Sequence, residues 1–138
     1  MIKVASFLAA VALIAVALLL RGPHEAPAAA PAGVISMGHE EFSRSVVTIH
    51  ARDRLSFSNT SHWLHVLVPG KSARLDSQPG LPGLGARGAH LSERGDRWIT
   101  DPWNVPGTYF ITCQLHPEMT LEVRVLSAKS TSVGTRPT

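Results

Sequence analysis

The stretch "NVPGTYFITCQLHPEM", residues 104–119, decides the fold of this chain. A Pro-Gly turn precedes a run rich in β-branched and aromatic residues, which predicts a strand that ends at Cys113. His116 and Met119 follow at intervals of three residues. We expect both to lie on a short connection stiffened by Pro117, because a tight turn after a strand can direct such side chains toward one point.

These side chains are soft or borderline metal ligands. Cys113 is the only cysteine of the chain, so it forms no disulfide within the chain; it is paired with another chain, a reactive thiol, a ligand or a small buried hydrophobe. Thiolate, imidazole and thioether suit copper, and a second imidazole would complete a trigonal site with a weak axial methionine. The candidates for that second imidazole are His39, His50, His62, His65 and His90.

Other short apolar or alternating runs predict further strands. They are "VVTI", "RLSFSN", "HWLHVLVPG", "DRWITDPW" and "TLEVRVL". Their number and spacing predict an antiparallel β-sandwich. Residues 69–88 are dense in Gly and Pro, which predicts a long loop, either functional or a disordered insertion.

The segment of residues 104–119 resembles the ligand segment of the cupredoxins, the blue copper proteins, and is similar to that of plastocyanin- and amicyanin-like members. In this family a Pro-Gly-Thr-Tyr strand ends in Cys-x2-His with a nearby Met. A second likeness lies upstream, where "RDRLSFSN" ends at Asn59 and His65 follows six residues later. The first histidine of the family has the same spacing from its Asn.

The resemblance implies an all-β, Greek-key β-sandwich that carries one type 1 copper ion. It implies His65, Cys113 and His116 as ligands and Met119 as the weak axial ligand. It also implies a monomeric electron carrier that docks weakly with a redox partner protein and is not an enzyme. An apolar patch for that docking is expected from Leu115, Pro117 and the "GLPGLG" segment of the loop.

Three positions depart from the family pattern. Arg52 stands where a Gly is usual in the turn before the upstream strand, so a different turn is expected. Val66 replaces an Asn whose side chain ties the His loop to the Cys loop. Leu121 replaces a Gly, and we expect it to crowd the start of the last strand. Changes around the ligands tune a metal centre more readily than they abolish it.

The start of the chain predicts export. Lys3 precedes an apolar run at residues 4–20, typical of a signal peptide or a signal anchor helix. The product would be periplasmic, extracellular, or tethered by this run to the outer face of the cytoplasmic membrane. The predicted segments are this helix at 1–21, an Ala/Pro-rich linker at 22–33, the copper-binding domain at 34–126 and a flexible tail at 127–138.

Composition narrows the remaining functions. Thirteen Lys and Arg against ten Asp and Glu give a net charge of +3, and the arginines are scattered, so nucleic-acid binding has little support. His62, on the opposite face of the strand from His65, is expected at the surface. We expect ordinary polar roles for His39, His50 and His90. We expect core or edge packing for Trp63, Trp98 and Trp103.

Two rival functions remain open. A copper-binding or copper-delivery protein would use the same ligands but exchange its metal, and the long loop and the missing Asn would favour it. A metal-free adhesive sandwich would leave the Cys-x2-His-x2-Met spacing unexplained. A multicopper oxidase is disfavoured, because its chemistry needs several His-x-His pairs and the chain has none.

Overall fold

The computed structural model describes residues 30–129, and every regular element in that part of the chain is a β-strand. The order is β1 (Gly33–Met37), β2 (Val46–His50), β3 (Leu55–Asn59), β4 (His65–Lys71), β5 (Arg74–Leu75), β6 (Ala89–Leu91), β7 (Arg97–Ile99), β8 (Gly107–Cys113) and β9 (His116–Leu126). One sheet has the order β1-β3-β7, and the other has the order β2-β9-β8-β4-β5, with β6 also paired to β4. The predicted all-β sandwich is confirmed.

The two sheets enclose one hydrophobic core. The smaller sheet contributes Leu55 and Phe57 from β3, and the larger contributes Ile111 from β8 and Val123 from β9, all fully buried. On β9 the predicted alternation holds, with Leu, Val and Val inward and Glu and Arg more exposed. This period-two pattern arises because successive side chains of a strand point to opposite faces.

The expected antiparallel arrangement holds for five strand pairs but not for two. β1 pairs with β3 in parallel, and β2 pairs with β9 in parallel. The sequence analysis also missed β1 as a strand. Parallel neighbours need a connection that crosses between them, and period-two alternation reports which face of a strand is buried but not the direction of its partner.

The predicted loop at residues 69–88 is shorter than expected. β4 continues through Pro69 to Lys71 and turns back into β5, so only residues 76–88 connect to β6 irregularly. Gly70 has a φ of 139°, and a Cβ there would lie 1.8 Å from the Arg74 carbonyl oxygen. A glycine at this position therefore lets β5 approach β4 closely. The hairpin turns at Ser72 and Ala73, whose φ values are 50° and 61°.

The turn before β3 keeps a glycine-like backbone although Arg52 occupies it. Arg52 has a φ of 78°, and its N–H donates to the Trp103 carbonyl at 2.7 Å. The Asp53 side chain accepts from the His50 N–H at 2.9 Å, which closes the turn. A left-handed backbone at a non-glycine residue costs about 1 kcal/mol or more, and these contacts offset the strain.

The predicted N-terminal helix lies outside the described residues, as do residues 22–29 of the predicted linker and residues 130–138 of the predicted tail. Within residues 30–129 no helix has the length and apolar character needed to cross a membrane.

We predict that Gly88→Ala destabilises the fold while Gly85→Ala does not. Gly88 leads into β6 with a φ of 70°, and a Cβ there would lie 2.5 Å from the Leu67 carbonyl oxygen of β4. Such strain should lower the free energy of unfolding by about 1–3 kcal/mol. Gly85, in the same loop, faces open space, and a Cβ there would have no atom within 4 Å. Its replacement should therefore change stability by less than about 0.5 kcal/mol.

Chemical denaturation of the two full-length variants beside the wild type checks this. Equal stabilities of Gly88→Ala and Gly85→Ala would show that the approach of residue 88 to β4 is not a tight constraint.

Candidate metal centre

The hairpin of β8 and β9 brings Cys113 and His116 together. The two residues are antiparallel partners that flank the two-residue turn Gln114–Leu115. The register shifts between Thr112 and Cys113, so β9 carries three extra residues before Thr120 pairs with Thr112. The expectation that His116 and Met119 lie on the connection is wrong, because β9 begins at His116 and includes both.

His65 reaches the hairpin from the neighbouring strand. It is the first residue of β4, and two residues further on Leu67 pairs with Cys113 on β8. On the other side of β4, His65 pairs with Leu91 of β6. The side chain is fully buried, so a polar ring is placed at the end of the core between two hydrogen-bonded strands.

Three ligand atoms converge there. The Cys113 Sγ lies 3.4 Å from the His116 Nδ1 and 3.9 Å from the His65 Nδ1. All three atoms lie within 4.8 Å of one another, and this is the one such cluster of His, Cys, Asp or Glu among residues 30–129. Cys113 is fully buried and His116 is partly exposed. The arrangement can hold one ion between a thiolate and two imidazoles.

Met119 lies beside this cluster in the chain and is 1% exposed. Its carbonyl accepts a hydrogen bond from the Thr112 hydroxyl at 2.8 Å, which holds the three-residue bulge of β9 against β8. The bulge interrupts the period-two alternation, so strand geometry alone does not assign Met119 and His116 to opposite faces. Its thioether is the soft group that follows the cluster most closely in sequence.

A stacked aromatic pair borders His116, and sequence reasoning missed it. The His39 ring lies on the Trp63 ring with centroids 4.2 Å apart and planes 12° apart. The same imidazole meets the His116 ring edge-on at 5.6 Å. Trp63 is 54% exposed, so its expected role in core or edge packing is wrong.

Hydrogen bonds at the ends of β1 and β3 bring His39 and Trp63 together. Thr60 donates from its N–H and its hydroxyl to the Met37 carbonyl, at 3.0 and 2.8 Å. The bonds hold the loop with His39 against the loop with Trp63. No local signal marks the pair, because the two residues are 24 positions apart and meet through the parallel pairing of β1 and β3.

Two other tryptophans pack in or beside the core, and three other histidines lie outside the cluster. Trp103 is buried and Trp98 stacks on Phe57, as expected. His62 is exposed and stands outside the cluster. His50 and His90 also lie outside it: the His50 Nδ1 is 4.0 Å from the Asp53 carboxylate, and the His90 Nε2 is 3.0 Å from the Arg87 carbonyl oxygen.

The apolar patch differs from the expected one. Leu115, in the turn of the hairpin, is 51% exposed and Pro117 is exposed. Leu81 and Leu84 of the "GLPGLG" segment pack against the core instead, so the loop's leucines do not extend the patch. Exposed apolar side chains near His65 come from Trp63 and Leu64.

The two departures from the family pattern near the ligands have simple structural consequences. Val66 lacks the amide side chain, but its carbonyl accepts from the Gln114 N–H at 2.9 Å, which ties the His65 strand to the hairpin turn. Leu121 is fully buried within the core and pairs with Ile111. Its side chain fills core volume rather than crowding the strand start.

Burial lowers the pKa of His65 below its ordinary value, and the positive charge that His116 and His39 can carry lowers it further. The backbone of Gly38 opposes these effects by favouring the protonated ring. The neutral ring is therefore favoured in the fold, and a neutral imidazole is the form that binds a metal.

Comparison with known structures identifies the architecture. Amicyanin from Paracoccus versutus is 22% identical over 73% of this chain and 85% of its own, with a TM-score of 0.53. A purple cupredoxin from Nitrosopumilus maritimus is 17% identical over 67% of this chain and 98% of its own, with a TM-score of 0.54. The described chain has the cupredoxin fold.

A reduced Cu(I) form of an amicyanin variant also shares this fold, at 16% identity over 72% of this chain and 86% of its own, with a TM-score of 0.54. No protein-family model matches the sequence, and no curated protein matches it. The structure thus shows the cupredoxin fold although the sequence identities are low. At such identities the function has to be argued from the site.

We predict that the metal-free protein loses stability as the pH falls below about 6.5 and that His65 accounts for part of this loss. The pKa of His65 is lower in the folded state, so the unfolded chain binds the proton first as the pH falls from the ordinary histidine value. The contribution is present above that value and is lost between it and the folded-state pKa.

Denaturant melts at several pH values check this. His65→Gln should flatten the dependence between pH 7 and 5, and His62→Gln, which removes an exposed imidazole outside the cluster, is the matched control. If His65→Gln retains the full pH dependence of the wild type, the burial argument is wrong.

Proposed function

We propose that this protein is a mononuclear type 1 copper protein that transfers electrons. One observation carries the proposal: a cysteine sulfur and two imidazoles, supplied by strand β4 and the hairpin of β8 and β9, lie within 4.8 Å of one another at the end of the core. We assign His65, Cys113 and His116 as the ligands of one copper ion and Met119 as the weak axial ligand. When bound, the ion supplies a one-electron Cu(I)/Cu(II) couple.

The donor set fits copper better than the common alternatives. Sulfur with two imidazoles is soft for Mg²⁺ or Ca²⁺, which take oxygen ligands. Structural zinc takes four such groups in sites that usually contain paired cysteines, and this chain has one cysteine. The Cu(I) of the reduced amicyanin variant, which shares this fold, supports the assignment.

The surroundings favour electron transfer over catalysis. His65 and Cys113 are fully buried and Met119 is 1% exposed, so these residues leave little room for a substrate beside the metal. A catalytic metal keeps an open coordination position. β4, β8 and β9 fix the ligands within one hydrogen-bonded sheet, which limits their movement between oxidation states.

His116 provides the route to the surface. It is the partly exposed ligand, and Leu115 beside it is 51% exposed. A weak encounter with a redox partner protein at this edge would bring the partner close to the ligand shell without a large interface. We also propose export, on the basis of the apolar run at residues 4–20, which would place the domain outside the cytoplasm, free or tethered.

Copper delivery is the rival function. The missing Asn side chain at Val66 would favour release, but the Gln114 N–H bond to the Val66 carbonyl keeps the two ligand-bearing segments connected. Competition with a Cu(I) chelator distinguishes electron transfer from copper delivery, because an electron carrier should retain copper through repeated oxidation and reduction.

We predict an intense visible thiolate-to-copper charge-transfer band when the full chain is loaded with Cu(II). The band requires the Cys113 Sγ as a ligand, so Cys113→Ser should abolish it. Ser77→Ala, which changes an exposed residue of the loop after β5, is a control that should keep it. A wild type that binds one copper ion without this band sinks the proposal.

We predict that Met119→Leu retains copper but shifts the reduction potential. Leucine replaces the buried thioether with a similar volume, so the fold should change by less than about 1.5 kcal/mol, while a weak axial ligand is lost. Protein film voltammetry measures the potential, with Ile35→Leu as the control, because Ile35 is also fully buried but lies in the middle of β1. An unchanged potential in Met119→Leu argues against axial ligation.

A further inference from the structure

A chain of hydrogen bonds, called here the relay, links Asn59 and Ser61 to the His65 ring. It begins at Asn59, which is 1% exposed at the end of β3. The Asn59 Nδ2 donates to the Trp63 carbonyl at 2.8 Å and to the Leu91 carbonyl at 3.1 Å. Its Oδ1 accepts from both the N–H and the hydroxyl of Ser61, at 2.9 and 2.8 Å.

These four bonds fix the orientation of the Asn59 amide. Its NH₂ group faces two carbonyl oxygens, which only accept, and its oxygen faces a backbone N–H, which only donates. A flipped amide would oppose donor to donor and acceptor to acceptor in a buried site. The oxygen of Asn59 therefore points at Ser61 and can only accept there.

The orientation of Asn59 determines what Ser61 can do. The Ser61 Oγ also receives the Trp63 N–H at 3.1 Å and lies 3.1 Å from the His65 Nε2. A hydroxyl has one proton to donate and two lone pairs to accept with. With its proton on Asn59 and one lone pair on the Trp63 N–H, the remaining lone pair of Ser61 faces His65.

The consequence lies on the far side of the imidazole. A neutral ring carries its proton on one nitrogen and its lone pair on the other. If Ser61 accepts from Nε2–H, the lone pair is on Nδ1, which is the nitrogen 3.9 Å from the Cys113 Sγ. The opposite tautomer would place a proton on Nδ1, toward the cluster, and leave two lone pairs opposed at Ser61.

We propose that Ser61, oriented by Asn59, is a positioning residue that holds His65 as the Nε2–H tautomer and directs the Nδ1 lone pair into the metal site. The purpose of this relay rests on the proposed function, but the tautomer itself exists without metal. Residues 59–65 thus contain both the ligand and its orienting groups on one short segment that also carries Trp63.

The first test uses the metal-free full chain. Long-range ¹H–¹⁵N correlation NMR distinguishes a protonated from an unprotonated ring nitrogen, and loss of the signals in His65→Gln assigns them. We expect His65 to be protonated at Nε2 and bare at Nδ1 at neutral pH. Ser61→Ala should yield a mixture of tautomers, whereas Ser61→Thr, which keeps the hydroxyl, should restore the wild-type pattern.

The second test measures copper. Ser61→Ala should bind Cu(II) about 10–100-fold more weakly than the wild type, the usual effect of removing a group that orients a metal ligand. Ser61→Thr should recover most of the affinity, and Ser77→Ala is the matched serine control. A merely structural role for Ser61 would lower stability without changing the tautomer.

The outcomes separate this proposal from the copper proposal. A wild type with His65 protonated at Nδ1, or a Ser61→Ala protein with an unchanged tautomer, overturns the relay whatever the metal does. A chain that shows the expected tautomers but forms no charge-transfer band upholds the relay and overturns the type 1 copper site. If Ser61→Ala does not fold, the wild-type tautomer still decides.

Discussion

The pairing of Cys113 with His116 across the hairpin of β8 and β9 is the contact on which the rest of the site depends. A two-residue turn places a thiol and an imidazole 3.4 Å apart, and the register shift beside them accommodates the bulge that contains Met119. β8 also forms the ladder with β4 that brings His65 alongside. One sheet therefore positions each ligand atom of the cluster.

The site requires polar groups at the end of an apolar core, and the fold provides hydrogen-bond partners for them. Among the described residues, no buried side-chain nitrogen or oxygen lacks a hydrogen-bond partner. Asn59 uses its full hydrogen-bonding capacity to hold Ser61 and two carbonyls. Since an unsatisfied buried polar group costs about 1–3 kcal/mol, such a network stabilises a geometry that an apolar core could not specify.

Much of the fold and of the candidate copper site could be predicted from residues close together in the sequence. The strand that ends at Cys113, the spacing of His116 and Met119, and the alternation on β9 are local patterns that reflect backbone geometry. The lengths of other elements were harder to judge. Pro69 and Gly70 are typical loop residues, yet they lie within β4, because the missing side chain of Gly70 leaves room for the Arg74 carbonyl oxygen of β5.

The sequence by itself determined the chemistry available at one end of the sandwich and the existence of most of its strands. Residue type and spacing are enough for this, since a strand and a tight turn have nearly fixed dimensions. Only the tertiary structure decided the parallel pairings, the stack of His39 on Trp63 and the direction in which the His65 ring presents its Nδ1. These depend on contacts between residues distant in the chain, and such contacts leave no periodic signal in the sequence.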